Sequence, residues 1–167
     1  TRLLDAFFRD KRKRMALQHL PDVFSLPGVE DFVREICESG IDAGTPLVRL
    51  HAIECDEEVI AVFSGMADAR RFSMMFNTYT LSANARYSPG LILIRHIIDE
   101  YAAMGHFALD LGVGAADYKT MFCKDNEPLF DTFLPMTNRG MLVANALSMR
   151  GHAVGWGGGL GGDWDVD

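Results

Sequence analysis

The residues with the clearest chemical potential in this chain lie between Tyr87 and Phe122. A sharp loop, Ser88-Pro89-Gly90, stands directly before a stretch with helical periodicity. The start of a helix offers unpaired N–H groups and a partial positive charge, and a glycine there lets a ligand approach the backbone closely. The loop therefore fits a phosphate-binding site. On these residues alone, an ordinary strand–helix–strand connection with a proline turn fits equally well.

A second chemical group, Asp110, stands near the end of the apolar run from Phe107 to Leu111, which predicts a buried strand of the parallel type. Sites in α/β proteins open at the carboxyl ends of such strands. There the Asp110 carboxylate can accept a proton from an attacking amine or hydroxyl, or it can cap the loop through the amides of Gly112 and Gly114. Of these two roles, the sequence favours capping.

Other chemically capable side chains have simpler structural explanations. The three cysteines are widely separated and no Cys/His spacing suggests zinc, so no metal site is expected. Cys123 has no evident base beside it, which argues against a nucleophile. We interpret His51, His96 and His106 as structural. Lys119 either meets a phosphate or faces solvent, and solvent is favoured.

Two helices and three strands are predicted to precede this stretch. Apolar residues at helical spacing mark helices within residues 3–20 and 29–36. Three β-rich runs mark strands at Leu47–Cys55, Val59–Met66 and Arg70–Leu81, the first two forming a hairpin with an acidic, exposed turn. Regular alternation on the third strand places Phe72, Met74, Phe76 and Thr78 on one face.

The loop opens a helix predicted from Pro89 to Met104, ended by Gly105, and a short helix follows the buried strand at residues 115–122. Alternation over Pro128–Pro135 predicts one more strand, and residues 139–150 a closing helix. From residue 151 glycines dominate, which predicts a disordered or non-native tail. We therefore expect one domain over residues 1–150 and a tail over residues 151–167.

This order of elements combines antiparallel strands with one parallel crossover. It predicts an α/β protein of the α+β mixed-sheet kind, with helices on both faces of the sheet. A length of 167 residues suits one domain with a real core.

Charge and composition narrow the classes of function. A net charge of −7 and a pI near 5.1 argue against nucleic-acid or anionic-membrane binding, which needs a basic face. We interpret the one basic run, Arg9 to Arg14, as a solvated helix face. No apolar run approaches the ~20 residues of a membrane span and no signal peptide is visible. With its odd number of cysteines, the chain is expected to be a reduced, cytoplasmic protein.

The Tyr-Ser-Pro-Gly loop at residues 87–90, followed by FALDLG and by the Tyr118-Lys119-x-x-Phe122 pattern, resembles the C-terminal half of bacterial acyltransferases of the GNAT superfamily. The subgroup to which it is most similar is associated with cellulose and exopolysaccharide biosynthesis. The resemblance is strongest over Leu47–Phe122. It implies a GNAT-like acyl-CoA N-acyltransferase fold that lacks its first strand, and hence a chain that is the C-terminal part of a larger acyltransferase. The sheet edge left bare would permit a homodimer.

This resemblance implies an enzyme. It would move an acetyl or other acyl group from acyl-coenzyme A to an amine or hydroxyl of a small molecule or saccharide precursor by direct attack. Acetyl-coenzyme A or another acyl-coenzyme A is the expected co-substrate, with no metal and no nucleic-acid partner.

The resemblance also assigns roles to particular residues. Backbone and side-chain groups would hold the coenzyme A pyrophosphate at Arg86, Ser88, Gly90 and Leu91, with Arg95 as an alternative source of charge. Tyr118 would protonate the departing thiolate, since a phenol and a thiol have similar pKa values; its alternative is a structural anchor for the helix. Asp110, because of its position at the end of the parallel strand rather than through the resemblance, would be the second catalytic group. The loop departs from the superfamily's usual Arg/Gln-x-x-Gly-x-Gly/Ala form, because only Gly90 is present.

Three other functions stay open at this point. The peptidoglycan-bridge aminoacyltransferases are similar through the same proline loop and helix, but their aminoacyl-tRNA donor fits poorly with an acidic protein. The second alternative is that the chain is a non-catalytic, GNAT-like half of a larger protein. The third is an S-adenosylmethionine-dependent methyltransferase, because FALDLGVGAA resembles the first glycine-rich motif of that class. Too few residues follow this motif for the βα units that such a fold requires.

Overall fold

A computed structural model describes residues 2–114, 116–130, 132 and 134–153, with the backbone alone for residues 148–153. The chain divides into two compact units, residues 1–113 and residues 114–167. The first contains α1 (Arg2–Leu17), α2 (Val29–Glu38), β1 (Arg49–Cys55), β2 (Glu58–Ala67), β3 (Arg71–Tyr79), α3 (Pro89–Ala103) and β4 (Ala108–Asp110). Short 3₁₀ helices lie at Val23–Ser25 and Ala83–Tyr87. The second contains α4 (Asp117–Phe122) and α5 (Asn138–Ala153).

The four strands form one mixed sheet in the order β1-β2-β3-β4. β2 runs antiparallel to both β1 and β3, and β4 pairs parallel to β3 after the crossover through α3. The predicted mixed α/β fold is confirmed. A methyltransferase sheet is mostly parallel, whereas two of the three strand pairs here are antiparallel, so the sheet does not support that alternative.

Helices cover both faces of the sheet, as the sequence predicts. On one face α1 and α2 pack against β2 and β3, and the ring of Phe7 lies 4.6 Å from that of Phe76. On the other face α3 buries Leu93, Ile94, Ile97 and Tyr101. There the ring of Tyr101 lies 4.3 Å from that of Phe72.

A bulge interrupts the pairing of β2 with β3. Ser64 pairs with Phe76 and Gly65 pairs with Met74, so Met75 has no partner on β2. The extra residue shifts the alternation of side chains by one position. The predicted common face for the aromatic residues of this strand is therefore wrong: Phe72 faces α3 and Phe76 faces α1.

The ends of α3 follow the predicted signals. Pro89 occupies the first turn, where its missing N–H costs nothing. Gly105 follows the helix with a φ of 88°, a left-handed conformation that favours glycine.

The strand predicted at Pro128–Pro135 is absent from the described residues of that range, and Asp131 and Phe133 lie outside them. Leu129 and Phe130 are 73% and 87% exposed, so these two side chains do not pack against a core formed by the described residues. The closing helix is present as α5 and reaches Ala153, three residues into the predicted tail. The rest of that tail lies outside the described residues.

The basic run in α1 is not a solvated face. Asp10, Lys11 and Arg14 are all buried, Arg14 being 8% exposed. Lys11 and Arg14 follow Phe7 at helical spacing, so they share the side of α1 that packs on β3. Arg9, Arg12 and Lys13 are the exposed members of the run.

Candidate functional site

The parallel pairing of β3 with β4 is short, and it leaves part of β3 open. The two strands pair only from Arg71 with Ala108 to Ser73 with Asp110. β3 then continues to Tyr79, paired on one side with β2. We call the other side of Met74–Tyr79, where no strand pairs among the described residues, the open edge of β3. Its carboxyl end leads directly to the loop before α3, so the open edge and the start of α3 lie at the same end of the sheet.

At the start of α3, the backbone N–H of Gly90 has no acceptor within the helix. Ser88 takes a left-handed conformation, with φ of 50° and ψ of 54°, and its carbonyl accepts the N–H groups of Leu91 at 2.9 Å and Ile92 at 3.3 Å. Pro89 has no N–H. Because the first N–H groups of a helix have no intrahelical acceptor, Gly90 N–H is the donor left for a ligand.

Gly90 is not required by the fold. Its φ is not in the left-handed region, and an added Cβ would lie 3.5 Å from Tyr79 Cδ1 and 3.9 Å from Phe63 Cε2, which is ordinary contact. A small side chain fits at this position in the unliganded protein. Any functional need for glycine here must therefore come from a ligand.

The loop that leads to α3 is tied to β2 by Glu58. Its carboxylate accepts hydrogen bonds from the Thr80 hydroxyl, from Ser82 Oγ at 3.1 Å and from Asn84 Nδ2 at 2.8 Å. The hydrogen bond from Thr80 contributes most to lowering the pKa of Glu58. Sequence reasoning placed Glu58 in an exposed turn and missed this function, since nothing local links it to residues more than twenty positions away.

The predicted cations near the start of α3 are engaged with their own neighbours. Arg86 is exposed, donates to the Tyr87 hydroxyl at 2.6 Å and stacks on that ring. Arg95 pairs with Asp99 at 3.0 Å, both side chains being largely exposed. These contacts do not prevent Arg86 or Arg95 from binding a ligand. They do not, however, direct either side chain toward Gly90.

Arg14 is a better placed cation that sequence reasoning missed. Its guanidinium lies 3.4 Å from the centroid of the Tyr79 ring, and Tyr79 is the ring that an added Cβ on Gly90 would contact. Within the described part of the chain, Arg14 Nε is buried without a hydrogen-bond acceptor, and burial lowers the pKa of the guanidinium. Its spacing from Phe7 was the signal that could have predicted its burial.

Asp110 caps the loop after β4. Its Oδ1 accepts the N–H of Gly112 at 2.8 Å, and Gly112 has a φ of 80°. This is the capping hydrogen bond that the sequence favours, and within the described residues the other carboxylate oxygen of Asp110 makes no hydrogen bond. A role as base stays a prediction.

The second unit contains the other predicted catalytic residue. Tyr118 lies in the first turn of α4 and is half-buried. One residue on, Lys119 Nζ donates to the Gly114 carbonyl at 3.1 Å and thereby ties α4 to the loop before it. The role of Tyr118 stays a prediction.

Two of the three histidines interpreted as structural, His51 and His106, have contacts of that kind. His51 Nε2 lies 3.2 Å from the Tyr101 hydroxyl and its Nδ1 3.5 Å from Glu100 Oε2, while burial lowers its pKa. His106 Nε2 lies 2.8 Å from the Asp68 carbonyl oxygen. Among the described residues no group of His, Cys, Asp and Glu could hold a metal ion. No helix in the same part of the chain has the length and apolar character to cross a bilayer.

Comparison with protein families gives a match that covers this site. Residues 1–120 match the family described as acetyltransferase (GNAT) domain. The chain belongs to the GNAT acetyltransferase family. Comparison with the curated proteins and with the solved structures found no match. The family chemistry is acyl transfer with acyl-coenzyme A as co-substrate, and the matched range includes the open edge of β3, the start of α3 and Tyr118.

Proposed function

We propose that this GNAT domain transfers an acyl group from acyl-coenzyme A to an amine or hydroxyl by direct attack. The observation that carries this proposal is that the start of α3 lies at the same end of the sheet as the open edge of β3, with which no strand pairs in the described part of the chain. The first can hold the phosphates of the donor, and the second can hold its thioester. An acceptor then needs to reach only the thioester carbon.

The donor's pyrophosphate would lie at the first turn of α3. Gly90 N–H and the positive end of the helix dipole supply attraction, and the Ser88 and Leu91 backbone shapes the turn. Arg14, held against Tyr79, would supply the buried positive charge that the proline loop itself lacks. Arg86 would add an exposed charge at the entrance.

The thioester carbonyl would lie at the bulge of β3. Met75 has no partner on β2, and within the described residues β4 pairs with β3 no further than Ser73, so backbone groups at Met75 would be available to a ligand. Backbone N–H groups fixed in this way stabilise the negative oxygen of a tetrahedral intermediate, because they need no reorganisation when charge develops.

Two side chains would handle protons. The Tyr118 phenol would donate to the coenzyme A thiolate as it leaves, since the two groups have similar pKa values. Asp110, while capping Gly112 with one oxygen, would accept the proton of the attacking amine or hydroxyl with the other. The resemblance to the exopolysaccharide-associated subgroup makes a saccharide precursor the acceptor class to test first. Aminoacyl transfer from tRNA is not favoured, because the net charge is −7.

Isothermal titration with acetyl-coenzyme A tests the donor site. Gly90→Val should weaken binding by more than tenfold, about 1.4 kcal/mol or more, because the side chain fills the space beside the helix start. Arg14→Gln should weaken it by a comparable factor. Ile92→Val, at an exposed position in the next part of α3, is the matched control and should bind as the unmodified protein does.

The same titration with S-adenosylmethionine should show no binding. Unchanged acetyl-coenzyme A affinity in Gly90→Val would show that the loop is not part of the donor site. Absence of saturable binding to the unmodified chain would contradict the proposed function itself. A thermal melt of each variant separates loss of binding from loss of folding.

A further inference from the structure

We propose that Ser64 is a positioning residue, which together with Gly65 holds the bulge of β3 in the shape that presents backbone donors to the donor's thioester. This inference rests on the proposed function for its catalytic part. The bulge and its supports are observations that stand independently of any ligand.

Ser64 forms side-chain hydrogen bonds to the backbone of Phe76, the residue opposite it at the bulge. Its side chain is completely buried, its Oγ accepts the N–H of Phe76 at 3.0 Å, and it donates to the Phe76 carbonyl oxygen at 2.9 Å. In the hydrogen-bonded pairs of a regular antiparallel ladder, which alternate with non-hydrogen-bonded pairs, both backbone groups of one residue bond to the backbone of the residue opposite. Here one side-chain hydroxyl bonds to both. At the bulge, the backbone N–H and carbonyl of Phe76 are therefore both hydrogen-bonded.

Gly65, which has no side chain, lets Phe72 and the Ser73 backbone of β3 approach β2 closely. A Cβ added to Gly65 would lie 2.3 Å from Phe72 Cζ and 2.6 Å from the carbonyl oxygen of Ser73. Both contacts are too short for any side chain unless β3 moves away. Glycine therefore permits the close approach of β3 that pairs Gly65 with Met74 and leaves Met75 as the extra residue.

The position of the bulge connects this pair of residues to the open edge. Met75 lies two residues beyond the end of the β3–β4 pairing at Ser73, and an added Cβ on Gly112 would lie 3.8 Å from the Met74 carbonyl oxygen. The backbone at Met75 is thus close to the place where β3 and β4 separate. Without the Ser64 hydroxyl, the Phe76 N–H and carbonyl would each lose a buried hydrogen bond, and the bulge would lose two contacts that fix its geometry.

The neighbouring Thr78 provides a matched control. Its side chain is 3% exposed, yet its hydroxyl makes no hydrogen bond within the described part of the chain. Ser64→Ala and Thr78→Val each remove one buried hydroxyl from the same sheet. Only Ser64→Ala removes hydrogen bonds to the bulge, so an effect confined to it reports positioning and not general loss of packing.

The experiment combines two measurements on the two variants. Amide hydrogen exchange by NMR reports the bulge directly, and Ser64→Ala should accelerate exchange of the Phe76 amide by about tenfold, as expected when one hydrogen bond is lost. Infrared spectra of bound acetyl-coenzyme A labelled with ¹³C at the acetyl carbonyl report its hydrogen bonding. The band should move to lower frequency in the unmodified protein and in Thr78→Val, and return at least halfway toward that of the free ligand in Ser64→Ala.

Each outcome decides a separate point. Unchanged Phe76 exchange in Ser64→Ala overturns the positioning role, whether or not a ligand binds. An unshifted carbonyl band in a bound wild-type complex, or the same shift in Ser64→Ala, overturns its catalytic part alone. Failure of the unmodified protein to bind acetyl-coenzyme A contradicts the proposed function instead. Should Ser64→Ala not fold, Ser64→Cys, of similar volume but with a weak S–H donor, carries the same measurements.

Discussion

Phe72 and Phe76 lie on opposite faces of the sheet although they stand four residues apart on one strand. The Phe72 ring packs against Tyr101 of α3, and the Phe76 ring packs against Phe7 of α1. Regular alternation would place both on the same face. The bulge at Met75 supplies the one-residue shift, and it does so at the open edge where the donor is proposed to bind. The feature that shapes the site thereby also determines which core each aromatic side chain joins.

This relationship predicts unequal effects of two neighbouring truncations. Phe76→Ala should lower the free energy of unfolding by about 3–5 kcal/mol, because a buried aromatic ring leaves a cavity beside Phe7. Met75→Ala, at a position 47% exposed, should change it by about 0.5 kcal/mol or less. Urea unfolding of both variants gives the comparison. Equal losses would show that Met75 contributes to the core and that the bulge is wrongly assigned.

A second prediction compares two glycines. Gly65→Ala should destabilise the protein by about 2 kcal/mol or more, because its Cβ would overlap Phe72 and the Ser73 backbone. Gly90→Ala should be neutral or stabilising by up to about 1 kcal/mol, since its Cβ has ordinary contacts and alanine favours a helix. Thermal or urea unfolding measures both. A stable Gly65→Ala protein would contradict the close approach of β2 and β3 at the bulge.

A third prediction concerns pH and Lys11. Burial, aided by the nearby charge of Arg14, lowers the pKa of Lys11 to about 8. Between that value and its ordinary pKa the unfolded chain binds more protons than the folded one, so the Lys11 contribution to stability should rise as pH rises from about 8 to about 10.5.

The measurement is the difference in unfolding free energy between the unmodified protein and Lys11→Met at pH 7, 9 and 10.5. This difference should shift in favour of the unmodified protein as pH increases. Lys13→Met, at an exposed position of the same helix, is the control and should give a nearly constant difference. A constant difference for Lys11→Met as well would show that Lys11 titrates as an exposed lysine does.

Tyr118→Phe tests the proposed proton donor. It should lower turnover by about a hundredfold or more, the range for loss of general acid catalysis, while leaving acetyl-coenzyme A affinity nearly intact. Thiol release from acetyl-coenzyme A with a panel of amine and saccharide acceptors measures the rate, and titration measures the affinity. Tyr87→Phe, exposed beside the donor loop, is the control. Equal turnover in Tyr118→Phe would leave this residue with a structural role only.

Most of the fold could be predicted from local pattern. Runs such as Val59–Met66 contain enough apolar, β-favouring residues to identify a strand, and Pro89 and Gly105 mark the ends of α3 through their own backbone preferences. The sequence pattern gave a wrong prediction where strand formation depends on pairing with another strand. The alternation at Pro128–Pro135 predicted a strand because periodicity contains no information on whether a neighbouring strand exists.

The site was predictable only in part, for a related reason. Gly90 was identified because a loop before a helix is a local signal. Arg14 and Glu58 act across the tertiary structure, so neither has a signal near the loop that it supports. Gly65 did have one, because a glycine inside an apolar strand often marks a bulge. That signal indicates an irregularity but does not tell which strand carries the extra residue.

The central claim is that acyl-coenzyme A binds with its phosphates at the start of α3 and its thioester at the bulge of β3. Titration of the ¹⁵N-labelled protein with acetyl-coenzyme A, followed by amide chemical shifts, tests it most directly. The account predicts saturable shifts that are largest at Gly90 and Leu91 and at Met75 and Phe76, with little change at the β1–β2 turn. Saturable shifts elsewhere, or no shifts at these amides at any concentration of the donor, would contradict it.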